Sequence, residues 1–302
     1  MTQQGMTALS GLVRTMRPKQ WTKNAAIFAA LIFDAKVFQR GPLLRTLAGF
    51  VLMCAVTGAV YIMNDLADVN KDRQHPTKRN RPLASGKLPA PVAVVAAVVL
   101  LGVALPLAFW LDVYFGLIAT GYLVLQVAYT FALKNYVIVD VLAISAGFVL
   151  RVGAGVPLVP ADRFSPWLYI CTTLLALFLG LGKRRQELVL LQDEAKNHRA
   201  ILGEYSVPFL DEMINVVISA VIVAYSLYTF TAVNVPPNHL MMLTIPFPIY
   251  GLFRYLYLIH IRGEVSAPDE VLLKDRPIQL TVVTWGILSF ALLLGNRLQL
   301  WG

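Results

Sequence analysis

The chain has 302 residues, is 57% hydrophobic and only 14% charged, and carries a formal net charge of +9. In soluble domains about a quarter of the residues are charged, so this composition excludes a soluble globular domain and indicates a polytopic membrane protein. The two cysteines lie in apolar segments and exclude a disulfide framework or a structural zinc site. No aromatic and basic recognition module accompanies the positive charge, so nucleic acid is not a predicted partner.

The apolar runs predict an all-α fold, because they are too long for the strands of a membrane barrel. We predict one integral membrane domain, residues 1–302, with nine transmembrane helices. The predicted spans are 24–38, 43–63, 90–111, 113–133, 137–157, 166–182, 210–232, 240–260 and 278–296. The first 23 residues are polar and basic and lack the pattern of a cleavable signal peptide.

Lysine and arginine are divided unequally between the predicted loops. With the amino terminus inside, the inner segments hold 19 of the 26 lysines and arginines, and the outer segments hold five. Because inner loops carry the positive excess, we predict a multi-pass protein of the plasma membrane with a cytoplasmic amino terminus. Attraction to anionic membrane lipids accounts for part of this excess.

The segment after the second predicted span concentrates carboxylates. On one continuous helix Asp65, Asp68 and Asp72 lie within about 60° of one another. Carboxylates stacked in this way repel unless a cation lies between them, and Mg²⁺ held by carboxylates and substrate phosphates is the natural occupant. A basic cluster follows, with the cations Lys78, Arg79 and Arg81. The pattern predicts an enzyme acting on a diphosphate at the cytoplasmic surface; the alternative is a solvated, salt-bridged helix end.

The fifth predicted span carries two charges, Asp140 and Arg151. Eleven residues make three helical turns, about 16 Å, so both side chains are expected on one face. Charges at membrane depth are costly, and we therefore expect this face to line a polar cavity or to contact other charged groups. The alternative is an interfacial Asp140 and an Arg151 that extends its charge to the membrane surface.

The motif Asn64-Asp65-x-x-Asp68-x-x-x-Asp72, followed by Arg81-Pro82-Leu83-Ala84-Ser85-Gly86, resembles the first signature of the UbiA superfamily of intramembrane prenyltransferases. The segments 17–24 and 72–79 resemble its decaprenyl-phosphate phosphoribosyltransferase branch. Further matches are Tyr129, Lys134, Arg151, Gly182, Lys183, Arg184, Glu187, Asp275 and Arg276. The resemblance implies nine helices around a central cavity open to the cytoplasmic side.

One departure from the family pattern concerns the segment after the sixth span. Members that attach a prenyl chain to an aromatic ring carry a second aspartate-rich motif there, whereas this chain has the three cations Lys183, Arg184 and Arg185. Asp193 and Glu194 lie further on and do not reproduce the spacing. We expect the cations to replace a second metal site by direct binding of an anion.

The resemblance implies transfer of 5-phosphoribose from 5-phosphoribosyl diphosphate to a polyprenyl phosphate, such as decaprenyl phosphate, with Mg²⁺ as cofactor. The implied metal ligands are Asp65, Asp68 and Asp72, and Asn64 orients a ligand or water near the metal. The implied substrate-binding residues are Lys23, Tyr61, Lys78, Arg79, Arg81, Tyr129, Lys134, Asp140, Arg151, Lys183, Arg184, Glu187, Asp275 and Arg276. For the isolated cations, a role in membrane orientation alone is the alternative.

Two other functions are compatible with the pattern. The first is transfer of a polyprenyl group from its diphosphate to an aromatic acid or quinone precursor, which ordinarily requires the missing second aspartate motif. The second is a transporter or flippase for an anionic lipid, which predicts ionisable residues on both sides of the membrane. The concentration of charge on the inner face favours an enzyme. The sequence leaves open whether the chain forms a homo-oligomer.

Overall fold

The computed structural model describes residues 3–75, 78–159, 166–191 and 200–300. These residues form helices and turns without a strand, which confirms the predicted all-α membrane fold. The α-helices are α1 (Gln3–Thr15), α2 (Ala29–Phe33), α3 (Arg40–Ala67), α4 (Val69–Gln74), α5 (Ala90–Leu111), α6 (Val113–Phe131), α7 (Val139–Gly155), α8 (Pro166–Leu191), α9 (Val207–Thr231), α10 (Pro246–His260), α11 (Pro268–Lys274) and α12 (Arg276–Arg297). Short 3₁₀ helices connect several of them.

Seven stretches of the described residues are long and apolar enough to cross a membrane. They are Arg40–Ala67, Ala90–Leu111, Val113–Phe131, Val139–Leu158, Val207–Thr231, Leu240–His260 and Arg276–Arg297. Each coincides with a predicted span to within a few residues. The sixth predicted span, 166–182, lies inside α8, which is not one of these seven, so the count of nine stays a prediction.

The first predicted span, 24–38, is wrong as a single helix. It consists of the end of a 3₁₀ helix (Pro18–Phe28), the short helix α2, and a turn. The helix ends where Ala35 adopts a left-handed backbone with φ 47°. On either side of Ala35, the charges of Asp34 and Lys36 form an ion pair. A non-glycine residue in this conformation terminates an α-helix, so hydropathy overestimated the length of this element.

The contacts of the chain divide it into two compact units. The first contains the described residues of Met1–Ala30, Gln39–Phe131 and Leu150–Pro160. The second contains those of Leu31–Phe38, Ala132–Val149 and Ala161–Gly302. The single domain predicted for residues 1–302 stays a prediction, and each unit is described separately below.

In the first unit, α5 packs closely against α3 and α6. Four alanines of α5 are buried at the spacing of one helix face: Ala93, Ala97, Ala104 and Ala108. Small side chains let helix backbones approach closely, which is the usual source of helix association in a membrane. Larger side chains, including Met53 of α3 and Phe115 of α6, fill the core on either side.

In the second unit, α8 packs along α9, and α10 contacts α12. Leu210, Ile214 and Ile218 of α9 recur at four-residue intervals and are buried against α8 side chains such as Phe178. Gly182 allows α11 to approach α8 closely, because a Cβ at this position would lie 2.5 Å from the ring of Pro268. This contact fixes the end of α8 that carries the charged residues.

Candidate active site

The aspartate motif lies at a bend between two helices. Helix α3 ends at Ala67 and α4 begins at Val69, with Asp68 between them at φ −98° and ψ 6°. The prediction of one uninterrupted helix through the motif is therefore wrong. The helical hydrogen bonds nevertheless continue, because the N–H of Asp68 donates to the carbonyl of Asn64 (3.0 Å) and that of Asp72 to Asp68 (2.8 Å). The bend keeps Asp65 and Asp72 close enough to share a partner.

That shared partner is Arg81. Its Nη1 lies 3.2 Å from Oδ1 of Asp65 and 2.7 Å from Oδ2 of Asp72. Both carboxylates are buried, whereas Arg81 is half-buried. A buried carboxylate requires a cation or hydrogen-bond donors. Here one guanidinium nitrogen donates hydrogen bonds to both carboxylates. The basic segment after the motif therefore contacts the acidic residues in the folded chain.

Arg17 is a second partner of Asp65 that the sequence reasoning did not single out. Its Nη2 lies 2.5 Å from Oδ1 of Asp65, and its guanidinium lies 4.8 Å from the centroid of the Tyr61 ring. Arg17 has a left-handed backbone, φ 53° and ψ 64°, an uncommon conformation for a residue with a side chain. Tyr61, a predicted substrate contact, therefore supports Arg17 through a cation–π interaction. The signal in the sequence was the basic segment that begins Arg17-Pro18.

A cavity of about 210 Å³ lies beside this cluster. Its lining residues are Arg14, Arg17, Asp65, Lys78, Asn80, Arg81 and Pro82. Four of the seven are cations, so the cavity suits a ligand with several negative charges. Of the three predicted basic residues, Lys78 and Arg81 line this cavity, whereas Arg79 is exposed and does not.

Asn64 is held in place by the neighbouring helix. Thr130 of α6 donates a hydrogen bond to its Oδ1, and the same hydroxyl lies 2.8 Å from the carbonyl of Gln126. The side-chain carbonyl of Asn64 thus accepts a hydrogen bond, and its amide N–H groups are donors that this bond does not use. This arrangement is compatible with the predicted orienting role of Asn64, which stays a prediction.

The carboxylates of the motif form a pair and not a complete metal cage. Within the described ranges, no group of three Asp, Glu, His or Cys side chains is close enough to hold a metal ion. Mg²⁺, however, is usually held by one or two carboxylates, with water and substrate phosphates completing its shell. Asp65 and Asp72 meet that requirement because their oxygens already converge on one cation. Asp68 is half-buried at the bend between them, and its role as a metal ligand stays a prediction.

Arg151 is buried in the first unit. Its Nε donates to Oδ1 of Asn24 (2.9 Å), and its Nη2 donates to the hydroxyl of Tyr122 (2.6 Å). The guanidinium is therefore bound inside the helix packing and does not extend to the membrane surface. Asp140, on the same helix α7, contacts another charged group, Arg184, in the second unit, whereas a polar cavity along the face shared with Arg151 stays a prediction.

Asp140 is bound by Arg184 and Tyr205, and Arg184 also pairs with Glu187. Arg184 Nε lies 2.6 Å from Oδ2 of Asp140, and its Nη1 lies 2.5 Å from Oε2 of Glu187. Arg185 is paired as well, with Asp211 at 2.5 Å. Two of the three cations at 183–185 are thus bound by carboxylates, and their binding of an anion stays a prediction. Lys183 is exposed.

Tyr205 completes this cluster, and no pattern in the sequence pointed to it. Its hydroxyl donates to Oδ1 of Asp140 (2.8 Å) and accepts the N–H of Ile138 (2.7 Å). Burial, followed by the hydrogen bond to Asp140, raises the pKa of Tyr205 to about 12, although the Ile138 N–H opposes this change. Ile138 has φ 67°, a strained conformation for a β-branched residue. The cluster thus stabilises an otherwise unfavourable turn before α7.

The profile of the UbiA prenyltransferase family matches residues 25–271. The chain belongs to the UbiA prenyltransferase family.

Two UbiA relatives of known name match most of the chain. The decaprenyl-phosphate phosphoribosyltransferase of Corynebacterium glutamicum is 32% identical over 284 residues, which cover 91% of this chain and 84% of the relative. The enzyme of the same name from Mycolicibacterium smegmatis is 32% identical over 294 residues, covering 92% and 90%. The UbiA resemblance and its phosphoribosyltransferase branch are thereby confirmed.

A solved structure also shares the UbiA fold. It is a UbiA homolog from Archaeoglobus fulgidus bound to DMAPP and Mg²⁺. Its TM-score is 0.71 at 16% identity, with 93% of this chain and 98% of the homolog covered. This likeness, together with the seven apolar stretches, identifies a multi-pass membrane protein with the intramembrane prenyltransferase fold.

The other residues implied by the UbiA resemblance are dispersed. Lys23 and Tyr129 are half-buried in the first unit, as is Lys134 in the second. Asp275 accepts the N–H of Ile278 (2.9 Å) at the start of α12 and a hydrogen bond from Arg254 (3.0 Å), and Arg276 is exposed. Asp275 is thus placed as a helix cap. Pro76, Thr77, Asp193 and Glu194 lie outside the described residues.

Two opposing effects act on the carboxyl group of Asp275. Burial by itself raises its pKa, but the hydrogen bonds from Arg254 and Ile278 and the positive charge of Arg254 outweigh burial. The net result is a lowered pKa. The folded protein therefore favours the ionised carboxylate, which is the form that accepts both hydrogen bonds.

Proposed function

We propose that this chain transfers 5-phosphoribose from 5-phosphoribosyl diphosphate to a polyprenyl phosphate, with release of diphosphate and with Mg²⁺ as cofactor. The observation that carries the proposal is the cavity lined by Arg14, Arg17, Lys78 and Arg81 beside the buried carboxylates of the motif. Its support from relatives is the shared name of proteins that are 32% identical over about nine-tenths of this chain.

The charges of the cavity suit the departing group of this reaction. Breaking the bond at the anomeric carbon of ribose places negative charge on the diphosphate. Arg17, Arg81 and Lys78 would neutralise that charge through hydrogen bonds from guanidinium and ammonium groups. Asp65 and Asp72 would hold Mg²⁺, which when bound stabilises the same negative charge. Arg14 would add attraction for the donor as it enters.

The acceptor requires less from the protein. A polyprenyl phosphate is anionic at neutral pH, so its oxygen attacks without removal of a proton by a strong base. Its hydrocarbon chain remains in the lipid, where apolar helix surfaces are available. We place the cavity and the amino terminus on the cytoplasmic side, because the inner segments hold 19 of the 26 lysines and arginines.

Transfer of a prenyl group to an aromatic acceptor is the competing function. The observation that supports it is the DMAPP bound to the Archaeoglobus homolog. Such a reaction ordinarily uses a second aspartate motif after the sixth span. In this chain that position holds Lys183 and the ion-paired Arg184 and Arg185. The missing carboxylates favour the phosphoribosyl donor.

The test is transfer of ribose-labelled 5-phosphoribosyl diphosphate into organic-extractable lipid by the purified chain with decaprenyl phosphate and Mg²⁺. We expect label in the lipid, lost on chelation of the metal. Asp65→Asn and Asp72→Asn should each reduce the initial rate by roughly 10²–10³-fold, the usual effect of removing one electrostatic contribution to a transition state.

The exposed Asp269 of α11 provides a matched control. Asp269→Asn removes the same charge outside the cavity and should leave the rate unchanged. Absence of lipid label from folded protein, with product formed from a polyprenyl diphosphate and an aromatic acceptor, would replace the proposed reaction by prenyl transfer.

A further inference from the structure

Arg81 contacts the same carboxylates that a metal would use. Its Nη1 is within hydrogen-bond distance of Asp65 Oδ1 and Asp72 Oδ2, at 3.2 and 2.7 Å. Arg17 takes the same Asp65 oxygen at 2.5 Å. A divalent cation held between these two oxygens would lie about 2.1 Å from each of them, in the position that Arg81 Nη1 now takes. The guanidinium of Arg81 and the metal cannot both occupy the space between the carboxylates.

We infer that Arg81 exchanges partners during binding: it leaves Asp65 and Asp72 when the metal binds and then binds the diphosphate. This inference rests on the proposed Mg²⁺ and diphosphate site. Arg81 can make the exchange because it lines the cavity of about 210 Å³ and is only half-buried. Its five N–H donors suit a diphosphate as well as two carboxylates.

Charge balance gives the consequence of this exchange. Asp65 and Asp72 are neutralised by Arg17 and Arg81, so the four groups have no net charge. Adding a divalent cation alone brings two positive charges beside two guanidinium groups and is opposed by their repulsion. A diphosphate that accompanies the cation removes this opposition and gives the displaced Arg81 a partner. The metal and the diphosphate should therefore bind cooperatively, each increasing the affinity for the other by the same factor.

The exchange assigns Arg81 a role that a purely structural ion pair would not have. A structural Arg81 would stay on its carboxylates in the bound state, and its removal would leave the coupling between metal and diphosphate unchanged. An exchanging Arg81 competes with the metal, so its removal should raise metal affinity. It should also remove the coupling between metal and diphosphate. The loss of this coupling separates the two roles, because removal of a fixed positive charge beside the carboxylates would also raise metal affinity.

The experiment measures binding by the purified full-length chain, without donor or acceptor. Wild type and Arg81→Gln are each titrated with Mn²⁺, and electron paramagnetic resonance measures the concentration of Mn²⁺ that remains free. We expect Arg81→Gln to bind Mn²⁺ on the order of tenfold more tightly, within the usual range of coupling between sites. In a second titration, radiolabelled inorganic diphosphate is bound at fixed concentrations of free Mg²⁺. Wild type should bind more tightly as Mg²⁺ rises, and Arg81→Gln should lose most of this dependence.

Two variants guard against a general effect of charge or of misfolding. Arg73→Gln removes an exposed arginine from α4 and should leave both affinities at the wild-type value. Arg81→Lys keeps one cation and should increase Mn²⁺ affinity less than Arg81→Gln does. Unchanged or weaker Mn²⁺ binding by Arg81→Gln, or by Arg81→Lys if the first variant fails to fold, overturns the exchange. Because no turnover is measured, failure of the proposed reaction would leave a positive binding result standing.

Discussion

The buried ion pair between Arg184 and Asp140 provides a strong test of how the basic residues are used. Arg184→Met removes the guanidinium from a carboxylate that is 0% exposed. Breaking one side of a buried, hydrogen-bonded pair costs about 3–5 kcal/mol, because an uncompensated charge stays inside. At about 2 °C per kcal/mol for a chain of this size, the apparent Tm should fall by roughly 6–10 °C.

The assay is thermal unfolding of detergent-purified protein at one fixed scan rate, since large membrane proteins often unfold irreversibly. Lys183→Met is the matched control, because the neighbouring Lys183 is exposed; its Tm should stay within about 1 °C of wild type, as surface substitutions usually do. The double variant Asp140→Leu with Arg184→Met removes both charges and should recover much of the lost stability.

An unchanged Tm would instead support a substrate-binding role for Arg184. A wild-type Tm for Arg184→Met, together with a raised KM for the donor, would show that its guanidinium binds a ligand and does not hold the fold. Recovery of Tm in the double variant would exclude that interpretation, because a ligand-binding arginine gains nothing from the loss of Asp140.

Two further predictions concern protonation and capping. The pKa of Tyr205 is raised to about 12 from 10.0, so the stability from its neutral hydroxyl is complete below pH 10 and is lost as pH rises through 12. Tyr205→Phe should abolish this loss in Tm measured from pH 8 to 12, and an unchanged profile would contradict it. At Asp275 the lowered pKa means that stability is present above pH 3.8 and is lost as pH falls through the lower folded value. Asp275→Asn should abolish this loss of stability at low pH. Asp275→Ala should lower the free energy of unfolding by about 1 kcal/mol more than Asp275→Asn, because alanine cannot cap the helix. Equal Tm values for the two variants would refute the capping role.

Hydropathy predicted most of the spans because a membrane imposes one requirement on every residue of a spanning helix. That requirement does not act at the first span, where Ala35 ends the helix by its backbone conformation. Hydropathy also does not reveal the bend at Asp68, because the helical hydrogen bonds continue across it. Composition therefore located the apolar segments, whereas local backbone geometry determined their ends.

The candidate site was predictable only where its partners are close in the chain. Arg81 and Asp72 are nine residues apart, so the acidic motif and the basic segment could be associated by inspection. Arg17 and Asp65 are 48 residues apart, and Tyr205 and Asp140 are 65 apart. No periodicity relates residues at such separations, and their pairing depends on how whole helices pack. Long-range partners therefore decide which predicted cations are available to a ligand.

Exposure separates the arginines that can serve a substrate from those that hold the fold. Arg184 is 2% exposed and bound to Asp140, so exchange of its partner would leave a charge buried in the second unit. Arg17 and Arg81 are 32% and 28% exposed and line a cavity. They can transfer their hydrogen bonds from a carboxylate to a phosphate without leaving water-accessible surroundings. The positive charge available for the diphosphate is therefore that of the partly exposed pair beside the aspartate motif.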